Sequence, residues 1–338
     1  MKGTPSCIAV TVGTALWLLA TACASRSPGA DGSDRATPTP TAAAPSTLLT
    51  LSPEARLLRA MDADTRAQIA ETATRSNARG LAISADGGLA AAIHDEDLMV
   101  WEVSRDALTP MLAGPLPNGH ALCFVDRRTL VAAAYGGLVR VELPSGVSYP
   151  LLQVPAHRLA WSPVHHRMAA LGTRRITVFS PHDPTTTRRD LALTSRPSHA
   201  ACNPSTGDFW VTLPEEEQIA IVSADGAREH RLSVAGGPAG IGFDAAGRTA
   251  FVACPAEDAV LGIDAASGRT TMTVSIHGDG SELSALPTAL AVAPDGDRVF
   301  VACHRGEFLA VLDVPRARVA HRLALPAGNS ELALLPGL

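Results

Sequence analysis

The sequence predicts an all-β fold in which seven four-stranded antiparallel sheets close into a ring. Three observations predict it. A strand–turn–strand pattern repeats about every 41 residues across residues 46–336. Two independent anchors in that pattern stay in phase. The repeat region also begins with a unit lacking its first strand and ends with a first strand lacking its unit.

The first anchor is the residue that opens the first turn of each unit: Ala85, Val125, Pro163, Pro204, Ala245 and Pro294, at intervals of 40, 38, 41, 41 and 49. The second is the end of the third strand: Asp62, Glu102, Glu142, Ser180, Ser223, Asp264 and Asp313, at intervals of 40, 40, 38, 43, 41 and 49. Residues 46–79 supply three strands and no lead-in strand, while Ser330-ELALLPGL supplies one strand and nothing after it. Joining the two completes a seventh sheet and removes the exposed edges that an open array would leave. The second strands read LAAAI, VAAAY, MAAL and FVAC. Such unbroken apolar runs suit strands covered on both faces, and their alanines suit close sheet contact near an axis.

The two C-terminal units show the pattern most clearly. Phe251-Val-Ala-Cys254 is followed by V-L-G-I-Asp264, and Phe300-Val-Ala-Cys303 by L-A-V-L-Asp313, with Pro294-Asp-Gly296 in a first turn. This resembles the YVTN-repeat family, with its Y-V-x-N, V-x-V-I-D and P-D-G elements, over residues 46–336. The match departs from the family at Cys254 and Cys303, where it carries Asn, and is weak around residues 157–197. The resemblance implies a seven-bladed β-propeller, usually exported or surface-exposed, and implies little about chemistry.

Before the ring come two other segments. Residues 1–22 combine the positive Lys2 with an apolar core, Cys7 to Ala22, and read as a signal peptide. The core ends Leu19-Ala-Thr-Ala-Cys23, which resembles the lipobox of bacterial lipoproteins and makes Cys23 the expected lipidated N-terminus. An ordinary cleavage after Ala22 is the alternative. Residues 23–45 are Ser, Thr, Pro and Ala with little to bury, an extended linker. The expected location is therefore outside the cytoplasm, on the cell membrane or outer membrane.

Composition narrows the function. The chain is 46% hydrophobic and 18% charged, with a net charge of −5, which excludes a disordered chain and disfavours nucleic acid as partner. Lys2 is the only lysine, so lysine-based covalent chemistry is absent from a processed chain. No H-E-x-x-H, G-x-S-x-G, phosphate loop, haem site or EF-hand spacing occurs. No cofactor is expected.

Candidate site residues gather where loops would share one rim. His120, His157 and His199 fall within one position of each other in the segments leading into successive first strands. The loops joining second and third strands add His94 and His304. The 49-residue interval reflects an insertion that carries His277, Asp279 and Glu282. If a metal binds, His120 and His199 are its first candidates; otherwise these are ordinary polar loop residues. Cys254 and Cys303 hold equivalent positions in adjacent units. In an exported chain they are the candidate disulfide, against two small buried residues as the alternative.

The reading is a monomeric, lipid-anchored binding or scaffold module at the cell envelope, without its own catalysis. It would bind a protein, glycan or small ligand at the rim and meet the membrane only through the anchor. A metal-dependent lyase or lactonase using the histidine rim is the alternative.

Overall fold

The computed structural model describes residues 47–52, 56–75, 78–94, 96–104, 106–276, 284–305, 307–325 and 331–335. The signal segment, Cys23, the linker, His277, Asp279 and Glu282 lie outside the described residues.

Seven four-stranded antiparallel sheets form the ring. The inner strands of blades 1 to 7 are Glu331–Leu335, Gly80–Ile83, Ala121–Asp126, Arg158–Ser162, Ala200–Cys202, Ile241–Phe243 and Pro287–Val292. Each touches the inner strand of the next blade, and the seventh touches the first, so the circle is complete. Blade 1 is assembled from both ends of the ring-forming chain: Glu331–Leu335 pairs with Thr47–Ser52, which continues into Leu57–Asp62 and Gln68–Ala73. The expected joining of the two partial units is what closes the ring.

The core lies between the blades, one apolar cluster per gap. The second strand of blade 2 shows why its sequence is continuously apolar. Leu89, Ala91 and Ile93 face blade 3, while Ala90 and Ala92 face blade 1. A side chain of either parity therefore enters a core. The outermost strands are mostly exposed: in Thr270–Ser275 only one parity, Met272 and Val274, reaches a core.

The same parity argument corrects the cysteine expectation. Cys254 and Cys303 are both free and buried. Cys254 packs in the gap between blades 5 and 6, and Cys303 in the gap between blades 6 and 7. Equivalent positions in successive blades point the same way around the ring, so the blade 6 sheet stands between the two sulfurs. Two residues related by the repeat cannot face each other across one gap. Their thiols are pushed up to about 12, chiefly by burial.

Candidate functional site

One face of the ring carries the loops that lead into the inner strands and those that join second to third strands. On it opens a cavity of about 810 Å³. Beneath lies a second of about 150 Å³ between the inner strands. Arg79, His120, Arg158 and Glu331 line both, so the two are levels of one funnel. Among the described residues the lining comes from blades 1 to 5 only. Opposite, blades 6 and 7 press together: a Cβ on Gly240 would sit 2.7 Å from the Thr288 carbonyl oxygen and 2.9 Å from the Ala289 Cα. That glycine lets the inner strands of these two blades approach closely.

Repeat register places the basic side chains. Arg79, His120 and His157 occupy one position in blades 2, 3 and 4. Their backbone N–H groups donate to the carbonyls of Ile93, Ala133 and Leu171 in the second strand, each at 2.9 Å. Gly119 allows the approach to His120, since a Cβ there would lie 2.4 Å from Ile93 Cγ1 and 2.7 Å from the His94 carbonyl oxygen. In blade 5 the same backbone bond is made by Ser198, to Thr212 at 2.9 Å. His199 is thus one residue further in, and a one-residue step along a strand changes the side a residue faces. His157 lines the wide level of the funnel and His199 the narrow one.

The ring nitrogens reflect those settings. His157 Nε2 donates to the Pro197 carbonyl at 2.9 Å, tying the blade 4 loop to that of blade 5. Burial, with Arg196, Arg158 and His120 nearby, holds its pKa below the usual histidine value despite that bond. His199 is driven to about 3, first by burial and then by the positive Arg158 and by His157. It is neutral at pH 7. Its Nδ1 lies 3.0 Å from the Ser198 hydroxyl, while its buried Nε2 has no hydrogen-bond partner.

Arg158 and Glu331 form the pair at the centre. Arg158 begins the inner strand of blade 4 and Glu331 that of blade 1, three blades apart around the ring. Arg158 Nη2 lies 3.3 Å from Glu331 Oε1. Arg158 Nη1 donates to the His157 carbonyl at 3.1 Å, and its buried Nε has no hydrogen-bond partner. Burial raises the pKa of Glu331, with Arg158 opposing the shift.

The structure thus brings His120, His157 and His199 to one funnel but leaves the other predicted residues elsewhere. His94 is buried in blade 2, 2% exposed, and lines neither level. His304 is exposed on blade 7, its backbone N–H donating to the Leu286 carbonyl at 3.0 Å. Among the described residues, no three His, Cys, Asp or Glu side chains are placed to hold a metal ion. Arg79, Arg158, Arg196 and Glu331 escaped the sequence reading. Arg79 was within reach, since it shares the repeat position of His120 and His157. Glu331 was not, because its partner is 173 residues away.

The ring of seven four-stranded blades around an axial opening is that of a seven-bladed β-propeller. No family model and no curated protein matches the chain. Several solved structures share its fold. Apo AztD from Citrobacter koseri superposes with a TM-score of 0.69 at 12% identity, over 87% of this chain and 99% of that one. A functionally unknown protein from Desulfotomaculum acetoxidans DSM 771 gives 0.70 at 15% identity, over 85% and 98%. Kuenenia stuttgartiensis hydrazine synthase gives 0.61 at 14% identity, over 83% and 99%. At these identities the likeness is one of fold alone.

Proposed function

We propose that this propeller is an exported, lipid-anchored binding module of the cell envelope that takes up a small polar ligand in its axial funnel and performs no catalysis of its own. The lipobox-like Cys23, the linker and the YVTN-like repeats support the envelope location. The observation that carries the binding role is the funnel itself. Its volume of about 810 Å³ suits a small molecule, and basic side chains from successive blades converge on it. A protein or glycan partner would instead favour the broad outer surface.

The test is a thermal-shift screen of the whole chain against small polar metabolites, repeated on Thr173→Trp. Thr173 lines the funnel on an exposed loop, so tryptophan there fills the opening without entering the core. Ligands of the funnel stabilise the wild-type chain and fail on the variant. A screen in which every hit stabilises both alike sinks the proposal. Membrane fractionation of Cys23→Ser tests the anchor: the variant is expected in the soluble exported fraction, and unchanged membrane association argues against lipidation at Cys23.

A further inference from the structure

The funnel is basic in a chain that is acidic overall. Arg79, Arg158 and Arg196 line its wide level against the carboxylates Glu215 and Glu331. The full sequence carries a net charge of −5. Local excess of the opposite sign, inside a concave space, selects for negative ligands.

The guanidinium of Arg158 shows where such a ligand would seat. One edge of the group consists of Nε and Nη2, the geometry that grips an oxyanion with two parallel bonds. Here that edge is half used. Nη2 meets Glu331 Oε1 at 3.3 Å, longer than the roughly 2.7–2.9 Å of a good charge-assisted bond. Nε is buried and has no hydrogen-bond partner. A second buried nitrogen beside the narrow cavity, His199 Nε2, is also without one. When Ser198 donates its hydroxyl proton to Nδ1, the neutral ring carries its own proton on Nε2 and becomes a donor. On that tautomer the narrow level holds two donors lacking acceptors and one internal carboxylate in an imperfect pairing. Buried polar groups of this kind are ordinarily satisfied.

We propose that the ligand of the funnel carries an oxyanion, a carboxylate or a phosphate, which displaces Glu331 from Arg158, pairs with its Nε and Nη2, and accepts from His199 Nε2. The body of the ligand then occupies the wide level beneath Arg79 and Arg196. Glu331 acts as a built-in competitor for Arg158. The inference rests on reading the funnel as a ligand site and adds the chemistry of what enters.

The experiment is calorimetric titration of the whole chain at low salt with succinate, glycerol 3-phosphate and the neutral succinamide. At least one anion is expected to bind and succinamide to fail, the responding anion identifying carboxylate or phosphate as the head group. Glu331→Gln removes the competitor's charge at nearly constant shape, so that anion should bind about tenfold tighter, equivalent to about 1.4 kcal/mol. Arg158→Gln should weaken it at least about tenfold. Should Arg158→Gln fail to fold, the gain in Glu331→Gln still decides the matter. Unchanged or weakened anion binding in Glu331→Gln overturns the proposal. So does failure of both anions to bind. If neutral ligands blocked by Thr173→Trp bind while both anions fail, the funnel remains a ligand site and only its assigned chemistry falls.

Discussion

Arg158 and Glu331 meet across the axis of the ring, Nη2 to Oε1 at 3.3 Å, although their strands belong to blades 4 and 1. Their side chains are 32% and 17% exposed, so the contact is largely withdrawn from water. Neither residue has a charged neighbour in sequence that announces the other. The pair exists because a seven-membered ring brings non-adjacent inner strands to a common centre.

Removing one partner should cost more than removing both. Arg158→Ala leaves Glu331 partly buried without its guanidinium partner and is expected to lower stability by about 2 kcal/mol. In the double variant Arg158→Ala/Glu331→Gln much of that loss should return, giving a non-additive cycle by urea unfolding. Strict additivity would mean the two side chains do not interact.

The two groups at the narrow level should pull stability in opposite directions with pH. His199 has a folded pKa of about 3, below its unfolded value, so the unfolded chain takes up its proton first. Its stabilising contribution is complete above about pH 6.5 and declines on acidification, by up to about 1.4 kcal/mol per pH unit. His199→Asn should flatten the acid limb. Glu331 has a raised folded pKa, so its contribution is complete below the ordinary carboxylate range and is lost as pH rises. Glu331→Gln should therefore steepen the acid limb. Urea unfolding between pH 4 and 7 checks both slopes.

Deleting the strand Glu331–Leu335 should open the ring. The inner edge of Thr47–Ser52 would lose its ladder, and the cluster between blades 7 and 1 would lose Leu332 and Leu334. A loss of more than about 4 kcal/mol is expected, with self-association through the bared edge. Thermal melting and size-exclusion chromatography would show it; a monomer of wild-type stability would contradict the closure.

Gly119→Ala should destabilise by about 1–3 kcal/mol, because its Cβ would enter space held by Ile93 and the His94 backbone. The strain falls beside His120, so ligands whose binding depends on His120 should also weaken. Thermal unfolding and binding measured on the same preparation report both effects.

A reducing agent should leave the melting temperature unchanged. Cys254 and Cys303 sit in different gaps and are free. Buried thiols with pKa values near 12 offer little thiolate for alkylation at neutral pH. Maleimide labelling of these two should appear only on unfolding, and a drop in melting temperature on reduction would indicate a disulfide.

Much of this protein's architecture is legible in its sequence. The period near 41 sets the number of blades, the broken units at 46–79 and 330–338 set how the ring closes, and loop positions within one residue of each other bring His120, His157 and His199 to one funnel. Those properties are local or periodic, and a linear pattern encodes them. Three others are not. The direction in which Cys254 and Cys303 face follows from their sheets' common orientation around the ring. The depth of His199 follows from a one-residue shift in how its loop meets the second strand, which leaves no trace in residue type. The Arg158–Glu331 contact follows from ring closure, which makes neighbours of residues that no local rule relates. Sequence determined the architecture and the face that carries the funnel. Only the tertiary structure decided which charges meet there, because that depends on where the inner strands converge.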